Sequence, residues 1–200
     1  MEEKENNPED YEEIIRKKVI DELNSHFLFN ALSYICAVEK RNPDRACELT
    51  KEFGDYLRGA MRTSACMGEW VLLSDELKPI RAFLHIQSLR FPGRLSYSIE
   101  TEDEAAMVLA GSVRAFVEAS VHAGILGAAS VKKLSIRQIS DVKKQTIIIE
   151  ENETEDECGA VRRKSSIQER VIKCFGDTED AAIRTELIDG QKRTEMIFPV

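Results

Sequence analysis

Apolar residues recur every four positions from Glu12 onward. Ile15, Val19, Leu23, Phe27, Ala31 and Ile35 fall along one slowly drifting helical face. Asn42-Pro43-Asp44 breaks that helix and restarts another, with Pro43 near a first-turn position. Leu49, Phe53, Leu57 and Met61 give the second helix its apolar stripe. Thr63 to Leu73 reads as a connector in which Trp70 anchors against a helix. Ser74 is placed to cap a third helix that runs through Leu77, Ile80 and Leu84 to about Arg90, where Pro92-Gly93 stops it.

After Gly93 the texture changes. Leu95 to Ile99 alternates like a half-buried strand, and Val108 to about Ile125 reads as a helix. Leu134 to Ile139 and Thr146 to Glu150 read as strands, Ser165 to Phe175 as a helix. Ile183–Ile188 and Thr194–Phe198 form a hairpin around Asp189-Gly190. The order β-α-β-β-α-β-β predicts a sandwich with helices on one face of a mixed sheet. The expected fold class is therefore α+β: a flexible acidic tail over 1–11, an antiparallel helical unit over 12–92, and an α/β sandwich over 93–200.

Composition narrows the function classes. With 28 basic and 36 acidic residues the net charge is −8, which disfavours a general nucleic-acid binder and docking on anionic lipid. Five cysteines, at 36, 47, 66, 158 and 174, form no CxxC and are odd in number, as expected of free thiols in a reducing cytosol. No apolar run approaches the roughly 20 residues needed to span a bilayer, and Met1 to Glu13 carries no signal peptide. The expected location is cytoplasmic, without direct membrane insertion. A start at Met1 with an acidic tail is expected of a complete soluble product.

Three histidines are present, and His26 is the one with a chemical setting. On a helix, Glu22 at i−4 and Asn30 at i+4 share its strip beside the apolar face. A carboxylate one turn away can fix the imidazole tautomer and support its charged form, which suits a nucleophile toward phosphorus. The bland alternative is a surface histidine with an ordinary hydrogen-bonding role. His85, among Phe83, Leu84 and Ile86, is most simply a partly buried structural residue. His122 has no Cys, Asp or second His at ligand spacing, so no metal site is expected.

The run Asn24-Ser25-His26-Phe27-Leu28-Phe29-Asn30-Ala31-Leu32 resembles the phosphoacceptor motif N-P-H-F-L-F-N-x-L of LytS-type sensor histidine kinases. Further motifs follow in order. Tyr56-Leu57-Arg58 looks like that family's L-L-R-Y segment, Leu73-Ser74-Asp75-Glu76-Leu77 like L-x-x-E-L, and Ile86-Gln87-Ser88-Leu89-Arg90-Phe91 like I-Q-x-x-R-F. Together they cover roughly residues 20 to 93. Ser25 stands where proline is usual, so a bend beside the histidine is relaxed. The resemblance implies a helical dimerisation and phosphoacceptor domain with His26 as acceptor, followed by an ATP-binding domain of the histidine-kinase (Bergerat) fold.

That second domain is recognisable but damaged. Phe116-Val117-Glu118-Ala119-Ser120-Val121-His122-Ala123-Gly124 looks like the N-box L-V-E-N-A-I-K-H-G. Ala119 replaces the asparagine that ligates magnesium in the family and offers no oxygen to a hard cation. Glu118 and Gly124 remain, and His122 takes the place of a lysine. Ile149-Glu150-Glu151-Asn152-Glu153 stands where the family reads V-x-D-N-G-x-G. Glu151 would replace the aspartate that hydrogen-bonds the adenine amino group, and Glu153 a glycine that lets the backbone approach the base. Glu118, Glu151 and Asn152 are thus degenerate remnants of a cofactor site. Glu150 to Glu157 holds six carboxylates and no basic residue, with no cation to offset them near a polyanion. The glycine-rich lid has no counterpart: Gly159 to Gly176 encloses no glycine, only Arg162, Arg163 and Lys164 before the helix. Scaffold segments survive better, Glu169-Arg170-Val171 to Phe175-Gly176 like E-R-L…F-G and Gly190 to Pro199 like the closing G-T-x-V-x-I-x-I-P.

The reading these residues favour is a histidine-kinase-like two-component signalling protein: a pseudokinase that does not bind ATP productively, carries no cofactor, and acts through partners and phosphotransfer at His26. The partners implied are a second copy in a four-helix bundle and a response regulator or a related histidine kinase. Two alternatives stand beside it. One is an active kinase core autophosphorylating His26 from ATP and magnesium; the other is a histidine phosphotransferase relaying phosphoryl groups between response regulators. A third, blander possibility keeps Phe27, Leu28 and Phe29 for packing alone.

Overall fold

A computed structural model describes residues 25–126, 131–152 and 166–200. The first described helix, α1 (Ser25–Glu39), carries the His26 motif. Asn42 caps α2 (Pro43–Ala65) by accepting from the Arg45 N–H at 3.0 Å, with Pro43 in the first turn. Strand β1 (Trp70–Leu72) leads directly into α3 (Leu73–Arg90). Phe27, Ala31 and Ile35 of α1 pack against Leu49, Phe53, Tyr56 and Ala60 of α2 and Phe83 of α3 in one continuous core.

Two expectations for this region are corrected. The α2 core stripe is Leu49-Phe53-Tyr56-Ala60, while Met61 is 48% exposed and Leu57 only partly buried. A strict four-residue spacing drifts off a 3.6-residue turn, so Tyr56 and Ala60 rotate inward where Leu57 and Met61 rotate out. Ser74 does not cap α3. The first free amides are filled instead by backbone carbonyls, Leu73 N–H to Ala106 at 2.8 Å and Ser74 N–H to Glu104 at 2.9 Å, so no capping side chain is needed.

The helices α2 and α3 approach closely at Gly59. A Cβ built there would lie 2.9 Å from the Pro79 ring, inside contact distance. Gly59→Ala is expected to push the pair apart and cost about 1–3 kcal/mol; a thermal midpoint unchanged from wild type would show that the interface gives way freely.

The rest is β2 (Leu95–Glu100), β3 (Met107–Leu109), α4 (Ser112–Leu126), β4 (Lys132–Ser140), β5 (Lys144–Asn152), α5 (Ser166–Gly176), β6 (Ala182–Ile188) and β7 (Gln191–Pro199). The five-stranded sheet runs β2-β4-β5-β7-β6, with β2 parallel to β4 and the other neighbours antiparallel. Helix α4 packs on β4 and β5, and α5 against α4 and β6. The α+β class, a helical unit followed by a Bergerat-like sandwich with a mixed sheet, is the architecture observed.

One small element escaped the hydrophobic pattern. Trp70–Leu72 and Met107–Leu109 pair antiparallel as a two-stranded ribbon, so the connector is a strand and α4 starts at Ser112 rather than Val108. Both strands have three residues, too short for alternation to show. Trp70 meets Phe198 of β7 edge-on at 6.1 Å, a strand contact rather than the helix contact expected. Cys36, Cys47, Cys66 and Cys174 are free thiols, as expected; Cys158 lies outside the described residues.

Candidate functional site

His26 sits near the start of α1 on its exposed side. Asn30, one turn on, donates from Nδ2 to His26 Nε2 at 3.0 Å, which places the proton of the neutral ring on Nδ1. Glu22, expected on the opposite turn, lies outside the described residues. The His26 ring meets His122 of α4 edge-on, with centroids 5.4 Å apart. The structure therefore brings the acceptor motif onto the helix that carries the N-box.

The second N-box residue, Glu118, is 5% exposed and committed inward. It accepts the Tyr56 hydroxyl at 3.1 Å and Arg114 Nη1 at 3.2 Å. Arg114 is fully buried and also donates to Thr63 Oγ1 at 3.3 Å and Ser64 Oγ at 2.8 Å. Glu76 of the L-x-x-E-L segment joins from α3, accepting the Gly111 and Arg114 amides at 2.6 and 3.2 Å. Burial raises the Glu76 carboxyl above its ordinary value against the pull of Arg114. Burial and the nearby Glu118 charge raise the Tyr56 phenol well above its own. Three motif or N-box positions, Tyr56, Glu76 and Glu118, thus join Arg114 in one polar cluster linking α2, α3 and α4.

At the adenine-reading position the side chain is closed from both sides. Glu151 is 4% exposed; Lys132 of β4 and Lys192 of β7 each reach it at 2.7 Å, and Ser120 of α4 donates to it at 2.8 Å. Asn152 is equally engaged, accepting the Lys133 amide at 2.6 Å and donating to the Val131 carbonyl at 2.9 Å. Glu150 pairs with Arg137 at 2.9 Å and Arg193 at 3.4 Å. The expectation that Glu150 and Glu151 lack offsetting cations is thereby corrected. The cations come from the strands on either side of β5, at sequence distances a local charge count does not see. Glu153 to Glu157, the lid interval and Arg162, Arg163 and Lys164 lie outside the described residues.

Burial alone would push the Glu151 carboxyl up, but Lys192 and Lys132 outweigh it and hold the folded value below the ordinary 4.5. A depressed folded value contributes stability that is complete above the unfolded value and is lost as pH falls through the folded one. Lys192→Met should therefore cost about 1–3 kcal/mol at pH 7 and progressively less below about pH 4. Urea unfolding of both proteins at the two pH values checks this; an equal loss at both would remove the ion cluster from the explanation.

An open cleft of about 1030 Å³ lies elsewhere, between α2, α3 and β2. Its wall carries His85, whose Nδ1 donates to Glu52 Oε2 at 2.6 Å. The expected partly buried setting of His85 holds, but its carboxylate partner on α2 was not foreseen, because 33 residues separate the two.

Comparison with known proteins places the helical region. Residues 17–95 match the sequence model of the histidine kinase family. More narrowly, that stretch resembles sensor histidine kinases of the LytS type. The chain is 35% identical over 83 residues to the sensor histidine kinase BtsS of Escherichia coli K12, covering 42% of this chain and 14% of that protein. It is 31% identical over 93 residues to the sensor histidine kinase/phosphatase LytS of Staphylococcus aureus MRSA252, covering 46% and 16%. The chain thus spans about a seventh of the length of these relatives. Among solved structures, a bacterial phosphotransferase superposes over 96% of this chain and 97% of its own, with a TM-score of 0.51 and 8% identity, a likeness of fold. Over residues 17–95 the chain is similar to signalling proteins of the histidine kinase family. Among the described residues no helix is long and apolar enough to cross a membrane.

Proposed function

We propose that this protein is a pseudokinase: it does not bind ATP productively, and it works in the cytoplasm through protein partners and through phosphotransfer at His26. The observation that carries this reading is Glu151, whose carboxylate is held by Lys132, Lys192 and Ser120. An adenine amino group needs a free acceptor at that point, and here two ammonium groups occupy it. Ala119 supports the same reading, since a methyl side chain gives magnesium no ligand. Glu118 is buried and engaged by Arg114 and the Tyr56 hydroxyl, so it is not free to serve a reacting histidine.

His26 keeps what phosphotransfer needs: exposure, and a tautomer with its lone pair on Nε2, which reacts once the exposed Asn30 amide is released from it. The phosphoryl source in this reading is the phosphoaspartate of a response regulator, or a related histidine kinase; the phosphotransferase whose fold it shares makes a relay role coherent. The protein works as a homodimer. Phe29, Leu32 and Met61 stand 73%, 47% and 48% exposed on the helical hairpin, the kind of apolar face that a second copy covers.

Titration calorimetry with Mg-ATP and Mg-ADP, with the thermal midpoint followed in parallel, tests the first half. No heat and no shift are expected, whereas a ligand at a hundred times its Kd adds about 2.7 kcal/mol. Clear micromolar binding would make autophosphorylation of His26 the function instead. The second half is tested by mixing with phosphorylated response regulators, where label in wild type should be located at His26 by tandem mass spectrometry and total label should fall in His26→Gln.

A further inference from the structure

We propose that His85 is a second phosphoacceptor, served by phosphoryl donors of the acyl-phosphate or phosphoramidate class that enter the cleft between α2, α3 and β2. Three observations meet at this ring. The first is tautomer control: Glu52 Oε2 accepts the Nδ1–H hydrogen bond at 2.6 Å, so the lone pair is on Nε2. A carboxylate on one nitrogen makes the other a better nucleophile and neutralises the ring once it is substituted. The second is a cation at the reacting atom. Arg45 donates from Nη2 to His85 Nε2 at 3.3 Å, and Glu48 at 2.6 Å helps to keep that guanidinium charged and in place. The third is access: His85 lines the cleft beside Tyr97, and Arg58, Arg62, Lys78 and Arg81 stand around its rim. These side chains are 48–74% exposed and paired with Asp55, Asp75 or Glu104, exposed pairs weak enough for an entering dianion to take over a donor.

The step balances without a further reagent. His85 Nε2 attacks phosphorus, the bond from phosphorus to the donor's carboxylate oxygen breaks, and the carboxylate leaves as its anion. With phosphoramidate the phosphorus–nitrogen bond breaks and the amine leaves with a proton from solvent. The ring becomes cationic, and its Nδ1 proton is shared with or passed to Glu52. Arg45 turns from Nε2 to the phosphoryl oxygens, a charge-assisted contact stronger than the one it gives up. His26, by comparison, has an amide on Nε2 and no described carboxylate on its other nitrogen.

The reading does not depend on His26, and its test is run without it. The full chain carrying His26→Gln is incubated with potassium phosphoramidate, and phosphohistidine is followed by ³¹P NMR and located by tandem mass spectrometry at alkaline pH. One phosphoryl group on His85 is expected, absent from H26Q/H85Q. In H26Q/E52Q, with an unchanged thermal midpoint, labelling should slow at least about tenfold as the tautomer control is lost. Label located only at His122, no label in the H26Q protein, or an unaltered rate in H26Q/E52Q would overturn the proposal. Loss of label from His26 in the parent protein would bear on the proposed function alone.

Discussion

Replacing Arg114 by methionine is expected to remove about 3–5 kcal/mol of stability, because it leaves a buried carboxylate without its cation. The guanidinium is fully enclosed and serves Glu118, Thr63 and Ser64 with three of its nitrogens. Against a typical domain stability of roughly 5–15 kcal/mol that is a large fraction. Methionine fills the space but strands Glu118 with only the Tyr56 hydroxyl at 3.1 Å. The cluster also joins α2 to α4, so its loss should loosen the helical hairpin from the sandwich. Arg114→Met/Glu118→Leu removes both charges and should recover much of the loss, since a buried ion pair exchanged for apolar groups is close to neutral. Urea unfolding at pH 7 measures both. A single-variant loss below about 1 kcal/mol, typical of an exposed pair, would show that the cluster is solvated. The cluster also ties a sequence remnant to architecture: Glu118, conspicuous in the N-box, is retained here with a packing role.

Much of this fold was legible along the chain, and the exceptions share a cause. Helices α1 to α3 and the break at Asn42-Pro43-Asp44 follow from periodicity and local turn chemistry, which operate over four residues or fewer. The hairpin around Asp189-Gly190 is equally local, and both residues adopt positive φ, 50° and 74°, as a tight two-residue turn requires. What escaped was non-local. The β1–β3 ribbon needs residues 70–72 and 107–109 to meet, and neither half signals its partner. The same holds for charge. Glu150 and Glu151 read as unopposed carboxylates, yet Lys132, Arg137, Lys192 and Arg193 approach from neighbouring strands. An antiparallel register that sets Glu151 opposite Leu134 and Lys192 makes this visible only once the pairing is known. At the candidate site, His26 with Asn30 was readable from i and i+4, while the approach of His122 and the Glu52–His85 pair were not.

The motif around His26 yields the second large effect, in a contrast between two phenylalanines. Phe27→Ala is expected to cost about 3–5 kcal/mol. The Phe27 ring is 1% exposed, with Tyr56 and Phe83 each 4.8 Å away between centroids and Phe53 at 6.3 Å. Removing it empties the centre of the contact between α1, α2 and α3, and should raise hydrogen exchange along α1. It should also separate His26 from His122, so loss of phosphotransfer in this variant would reflect lost placement. Phe29→Ala should leave monomer stability within about 0.5 kcal/mol, since Phe29 is 73% exposed. Two helical positions lie about 200° apart around the axis, so one ring faces the core and the other faces outward. On the proposed dimer face, loss of an aromatic anchor should weaken self-association about tenfold or more, read by sedimentation equilibrium. Thermal unfolding of Phe27→Ala and self-association of Phe29→Ala therefore separate two reasons for one motif. If the Phe29 variant associates like wild type, the exposed ring serves a different partner; if the Phe27 variant melts like wild type, α1 is not held as the structure shows.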